Sequence, residues 1–354
     1  MKKPFLAGLA LFFLSTGPAA FAQPQTSAAD PETATSLFTT EEPLNIHLQY
    51  SNRELRKNTN DSTYLECMLS YQDADGQWDS LEVRVRARGN WRKENCFLAP
   101  VKLKIKKKEA EGTLFEGSKE LKLVLPCRDN EYGQDYVIKE YLAYKLYEKV
   151  SPYHFKTRRL SVAYTDDSGK KAKDYVLEGF LIEDVDQMAE RCNAKKLTRS
   201  VHPLQQDDLC SVQNDFFQYM IGNTDFSVAY QHNEKLIFVE GRSAIPVPYD
   251  FDMCGLVNAN YAVVSQVQGE SLEISHVTQR LYRGFKRSPA IYEQVRQEFL
   301  SKKDVFMEQV DALQPSFRKS GQFEGARDFV LEFFEVLQND NQYRQKILAM
   351  AREK

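Results

Sequence analysis

Residues 222–233 read G-N-T-D-F-S-V-A-Y-Q-H-N, residues 234–239 read E-K-L-I-F-V, and residues 245–255 read I-P-V-P-Y-D-F-D-M-C-G. This stretch gathers Asp225, His232, Asn233, Asp250 and Asp252. Ahead of it, Val212, Phe216, Tyr219 and Met220 recur at i, i+4, i+7 and i+8, the spacing of one helix face. Gly222 and Asn223 are residues that end helices. Leu236 to Val239 and Ile245 to Tyr249 are apolar runs of strand length, joined by a turn at Gly241-Arg242-Ser243. Carboxylates at the entrance to one strand and the exit of the other can meet, and their hard oxygens suit one or two divalent cations and a phosphate. Asn, Asp and Gly also dominate ordinary polar turns. The combination points to a site: D-F-D between Pro and Gly, after N-T-D and H-N.

The order helix, G-N-T-D, H-N, P-x-P-Y-D-F-D resembles the spore coat protein H-like (CotH) family of secreted atypical kinases. The resemblance implies that Asp225 orients or deprotonates an acceptor hydroxyl, and that Asp250 stands where protein kinases place the metal-binding Asp of D-F-G. It implies Asn233 and Asp252 as further metal ligands, with ATP and Mg2+ or Mn2+ as cofactors. Either Asp of D-F-D can hold the primary position, and the alignment to D-F-G favours Asp250. Upstream, an R-G-N turn (Arg88-Gly89-Asn90) precedes a strand opening P-V-K (Pro100-Val101-Lys102), which is similar to the family's sheet over the nucleotide. Arg88 and Lys102 are thereby implied as nucleotide contacts. The segment V-L-E-G-F-L-I-E-D-V-D, residues 176–186, resembles the strand entering the hinge between lobes. Glu183 at its end either contacts base or sugar or caps the next helix. The implied fold is α+β: an atypical protein-kinase-like two-lobed fold, with a β-rich N-terminal lobe over about 43–183 and a mostly helical C-terminal lobe over about 184–354.

The residues support such a division independently. Leu81, Val83, Val85 and Ala87 alternate with Glu82, Arg84, Arg86 and Arg88, and Val101 to Lys106 alternates likewise, so both are half-buried strands. Leu121 to Leu125, Arg159 to Tyr164 and Tyr175 to Ile182 are further strands, and Asp73-Ala74-Asp75-Gly76 is a hairpin turn rather than a calcium loop. Tyr136 to Val150 reads as a helix capped by Asp135, and Lys139 and Glu140 read first as helix-surface ion-pairing residues; the resemblance implies them instead as candidates for the ionic partner of a nucleotide-binding lysine. Asp184 to about Asn193 reads as a polar helix, followed by a loop to Ser211. His276 to Arg287 reads as a basic segment, by default a solvated helix face, with a substrate-facing or phosphate-binding patch as the alternative. The stripes at Ile291/Val295/Phe299, Phe306/Val310/Leu313 and Val330/Phe333/Phe334/Leu337 are helical core.

The first residues pair a basic start, Met1-Lys2-Lys3, with an apolar run from Phe5 to Leu14 and an A-F-A site at 20–22. That pattern predicts a signal peptide over 1–22, hence a secreted or periplasmic protein, and the run is too short to span a bilayer. No membrane span is expected after cleavage. Residues 23–42, rich in Ala, Thr, Ser and Pro, read as a flexible leader before a single domain over 43–354. A net charge of −3 argues against nucleic acid as the main partner. Six cysteines in an exported chain permit disulfides, and their spacings match no zinc pattern.

The expected activity is transfer of the ATP γ-phosphate to a protein or other hydroxyl. The alternatives are a non-catalytic scaffold or pseudokinase of the same family and, in another class, a metal-dependent hydrolase using the same carboxylates. A Ser-His-Asp hydrolase is disfavoured because G-x-S-x-G is missing from the sequence.

Overall fold

The structure is a computed structural model that describes residues 1, 35–89, 91–266 and 272–353. The expected signal peptide (apart from Met1), most of the leader, and Asn90 of the R-G-N turn lie outside the described residues. The first half runs β1 (Leu44–Gln49), α1 (Asn52–Asn58), β2 (Leu65–Gln72), β3 (Trp78–Ala87), α2 (Trp91–Asn95), β4 (Val101–Ile105), α3 (Lys107–Ala110), β5 (Glu120–Val124), α4 (Glu131–Val150), β6 (Thr157–Asp166) and β7 (Lys173–Ile182). The second runs α5 (Val185–Arg191), β8 (Ala194–Leu197), α6 (Asp208–Met220), β9 (Glu234–Val239), β10 (Ile245–Pro248), α7 (Pro289–Ser301), α8 (Lys303–Asp311), α9 (Ser320–Gln338) and α10 (Asp340–Lys346).

Seven strands close into a barrel in the order β1-β2-β3-β4-β5-β7-β6. This overturns the expected kinase-like two-lobed fold, whose sheet over the nucleotide is open; the α+β class stands. The seam is β1, which pairs antiparallel with β2 and parallel with β6, from Leu44 opposite Leu160 to Gln49 opposite Thr165. Its Leu44, Ile46 and Leu48 alternate with polar residues and point inward beside Val83, Val85, Leu103, Leu123 and Val162. Closing the sheet in this way removes two edges that otherwise need covering. Leu37 and Phe38, at the end of the expected leader, are also buried in this cluster.

A second apolar cluster joins α4, α6 and α7 to α9 through Phe216, Phe217, Phe299, Phe306, Phe333 and Phe334, and takes in Phe180 and Ile182 of β7. The three helical stripes read from the sequence lie in it, and among the described residues no helix is long and apolar enough to cross a membrane. A three-stranded sheet, β10-β9-β8, packs beside α6. Its strand β8, A-K-K-L, lies where a loop was expected, because two apolar residues make no readable alternation. Helix α4 begins at Glu131 rather than Tyr136, because Asn130 is its cap and accepts from the Gly133 amide at 2.8 Å. Asp135 lies inside the helix and accepts from the amides of Arg318 and Lys319 at 2.7 and 3.1 Å. The basic segment 276–287 is not a solvated helix face. Arg280, Arg283 and Arg287 donate instead to backbone carbonyls of Met220, of Thr224 and Phe226, and of Pro203 and Leu204.

Candidate functional site

The loop between α6 and β9 positions the first carboxylate. The chain leaves α6 through Gly222 at φ +62°, where a Cβ would lie 2.8 Å from the Phe329 ring, so glycine is required. Ser227 and His232 then form a two-residue antiparallel bridge that folds Asn233 back beside Asp225. The Asp225 amide donates to Asn223 Oδ1 at 2.9 Å. Its carboxylate accepts from Ser265 Oγ at 2.9 Å and Asn233 Nδ2 at 3.1 Å, and lies 3.1 Å from His232 Nε2. Burial pushes this carboxyl up, but the bonds from His232, Ser265 and Asn233 together prevail and hold it below the usual range. The bond to Asp225 in turn raises His232 above the ordinary imidazole value, against the opposing pull of burial.

The hairpin β9-β10 positions the second. Tyr249 donates its amide to Asn233 O at 3.1 Å, and Asp250 donates its amide to Tyr144 Oη of α4 at 2.9 Å. Gln231, Asn233 and Asp250 all have left-handed backbones, with φ of 51°, 53° and 64°. Such conformations are costly for residues with a Cβ and concentrate at functional sites. Arg88 Nη2 lies 3.9 Å from Asp250 Oδ1. Two lysines face the Tyr249 ring, Lys122 at 4.1 Å and Lys235 at 5.0 Å from its centroid. Neither is ion-paired with a carboxylate among the described residues. Burial, and after it the charge of Arg88, pushes the Lys122 ammonium down to about 7.

The third carboxylate turns inward. In D-F-D, Phe251 packs on Tyr144 and Phe217 in the core, and Asp252 is buried beside Arg92. Arg92 Nη1 lies 3.5 Å from Asp252 Oδ2 and 3.5 Å from Glu140 Oε2. Asp252 Oδ2 and Arg92 Nη1 have no hydrogen-bond partner, so the cluster is held by charge alone at those atoms. Burial raises both carboxyls in spite of Arg92. Arg92 belongs to α2, whose following residue Cys96 is disulfide-bonded to Cys127. Cys67, Cys192, Cys210 and Cys254 are free thiols.

Of the residues expected at the site, the fold brings Asp225, Asn233, Asp250 and Arg88 together. Asp252 is engaged by Arg92. Lys102 pairs with Glu120 on the outside of the barrel, in register with Lys122 and one strand over from it. Glu183 is 1% exposed, takes Arg191 through both oxygens at 3.1 and 2.9 Å, and accepts the Lys156 amide at 3.0 Å. It does not cap the next helix, since that cap is Asp184, which accepts from Asp186 at 2.9 Å. Sequence reasoning did not single out Lys122, Lys235, Arg92, Tyr144 or Ser265. Only Lys122 carried a signal, as the outward residue of an alternating strand beside Lys102.

Among the described residues no three His, Cys, Asp or Glu side chains converge into a metal-holding group. The half-exposed Asp250 carboxylate and Asn233 Oδ1, whose amide nitrogen is committed to Asp225, are nonetheless hard oxygen donors. Oxygen donors of this type are the ones that magnesium and manganese take, usually one or two carboxylates with phosphate and water. Beside Asp225 opens a cleft of about 840 Å3 lined by Trp91, Tyr230, His232, Met253, Val263 and Ser265. No protein-family model matches the chain, and no curated protein does.

Proposed function

We propose that this cleft transfers the γ-phosphoryl group of ATP to a hydroxyl of a protein or other acceptor. The observation that carries the reading is the pairing of two features. One is a carboxylate held ionised at a cleft, Asp225. The other is a cluster of cations, Arg88, Lys122 and Lys235, gathered around Asp250 and Tyr249 with too little negative charge to match. The resemblance to the CotH family in G-N-T-D, H-N and P-Y-D-F-D supports the same assignment. The basic start and A-F-A site support export, to the periplasm or medium.

Asp225 accepts the proton of the acceptor hydroxyl as its oxygen bonds to the γ-phosphorus and the bond from that phosphorus to ADP breaks. Ser265, Asn233 and His232 keep Asp225 ionised and aimed for that role. Arg88, Lys122 and Lys235 hold the phosphates, and an anion beside Lys122 restores the charge that burial weakens. Asp250 and Asn233 Oδ1 would hold magnesium or manganese, which supplies charge neutralisation to the phosphates when bound. Arg92, Glu140 and Asp252 fix α2 against α4 and the D-F-D segment beneath the site.

Thermal unfolding tests the binding half of the proposal. ATP with magnesium or manganese should raise the midpoint by mass action, and neither alone should match the pair. An unchanged midpoint at millimolar concentrations of both contradicts any nucleotide role.

A further inference from the structure

The loop that carries Asp225 and Asn233 is braced from behind by buried side chains whose hydrogen bonds close a ring. The Asp225 amide donates to Asn223 Oδ1 at 2.9 Å, and Asn223 Nδ2 donates to Gln218 Oε1 at 2.9 Å. Gln218 Nε2 donates to Glu234 Oε1 at 3.0 Å, and Asn214 Nδ2 donates to the same oxygen at 2.9 Å. Glu234 is covalently next to Asn233, whose Nδ2 donates to the Asp225 carbonyl at 2.8 Å and so returns the ring to its start. Asn214, Gln218, Asn223 and Glu234 are each at most 1% exposed. Polar side chains at that depth cost stability unless their links are made; every link of the ring is made, which favours one geometry, while Asn214 Oδ1 and Glu234 Oε2 are left without a partner.

The ring spans both ends of the loop. Gln218 and Asn214 belong to α6, Glu234 begins β9, and Asn223 to Asn233 lie between. Its reach ends on a backbone amide and a backbone carbonyl of the same residue, Asp225. We propose that Glu234 is a positioning residue: through Gln218 and Asn223 it sets the backbone of Asp225, and through its neighbour Asn233 it sets the Asp225 carboxylate. Its importance for turnover rests on the phosphotransferase reading; the brace itself does not.

The test compares wild type with Glu234→Gln, Glu234→Ala and Gln218→Met in the full chain, reading amide hydrogen exchange at Asp225 and transfer from labelled ATP. Glu234→Gln keeps an Oε1 acceptor for Asn214 and Gln218, so it should match wild type in both. Gln218→Met and Glu234→Ala cut the ring. Each should speed exchange at Asp225 by about fivefold or more, the effect of one lost hydrogen bond. Each should also lower kcat by about tenfold with little change in the KM for ATP, since positioning acts on the reacting oxygen rather than on the phosphates. If Glu234→Ala fails to fold, Glu234→Gln and Gln218→Met still decide. Exchange at Asp225 within about twofold of wild type in Gln218→Met overturns the proposal, as does a Glu234→Gln that behaves like a broken ring. A wild type without transfer that shows the expected exchange pattern supports the brace and overturns only the phosphotransferase reading.

Discussion

Asn233 donates its side-chain amide to Asp225 twice, to the carbonyl at 2.8 Å and to the carboxylate at 3.1 Å. A residue expected from the sequence as a metal ligand is therefore also a clamp on the candidate base, and only its Oδ1 is left to face a cation. This contact explains how residues eight positions apart act at one point, with His232 and Ser265 completing the set around Asp225.

The Asp225–His232 pair gives a pH signature. His232 is held above its ordinary value by the bond to Asp225, so it adds stability fully below the unfolded imidazole pKa and loses it as pH rises through the raised folded value. Asp225 is held below its ordinary value, so its contribution is present above the unfolded carboxyl pKa and lost as pH falls through the lowered one. The pair is at full strength between the unfolded pKa values of the two groups. NMR titration of His232 should show a raised pKa in wild type that drops in Asp225→Asn. An unchanged value in the variant would break the assignment.

The buried cluster of Arg92, Glu140 and Asp252 should respond asymmetrically. Arg92→Met leaves two buried carboxyls without a counter-charge and should cost about 3–5 kcal/mol in denaturant unfolding. Both carboxyls have raised folded values, chiefly from burial, so stability they contribute when protonated is lost as pH rises through those values. Glu140→Gln should accordingly flatten the loss of stability on the alkaline side. A steeper alkaline loss in that variant would mean that Glu140 is ionised and satisfied in the native state.

Reduction should loosen the same region. The Cys96–Cys127 bond, with a sequence separation of 31, closes a loop that holds β4, α3 and β5 and begins directly after α2. Cys96→Ser with Cys127→Ser should cost about 3–4 kcal/mol by the loop-closure relation. A double variant as stable as wild type under oxidising conditions would show that packing alone holds α2.

Much of the site was legible because its signals are local. Helix α6, the hairpin β9-β10 and the outward basic residues of β3 and β4 follow from periodicity. The D-F-D motif does not divide by alternation: Phe251 and Asp252 are both buried, and only Asp250 stays part exposed beside Arg88. What could not be read was closure and partnership. The alternation of Leu44, Ile46 and Leu48 announces a strand, but nothing in six residues says that it pairs parallel to β6, some 110 positions later, and seals a barrel. Lys102 and Lys122 look alike in sequence, and register decides that Lys102 takes Glu120 while Lys122 reaches Tyr249. Ser265 joins Asp225 from a segment with no periodic pattern at all.

That difference between the lysines is measurable. Lys122→Ala should weaken nucleotide binding by about tenfold, the loss of one charged contact to phosphate, and flatten its dependence on pH near 7. Lys102→Ala should change affinity by less than about twofold, since its charge is already matched by Glu120. The reverse ranking would place the nucleotide beside Lys102 and Glu120 rather than beside Tyr249.

The most direct measurement is transfer of labelled γ-phosphate from ATP, with magnesium or manganese, in wild type, Asp225→Ala and Asp250→Ala, read beside metal-dependent nucleotide binding in the same three proteins. Transfer by wild type, its loss in both variants, and loss of metal-dependent binding in Asp250→Ala alone is the predicted result. A wild type that binds nucleotide and metal but transfers to no protein, peptide or small hydroxyl acceptor, or an Asp225→Ala variant that transfers at the wild-type rate, would contradict it.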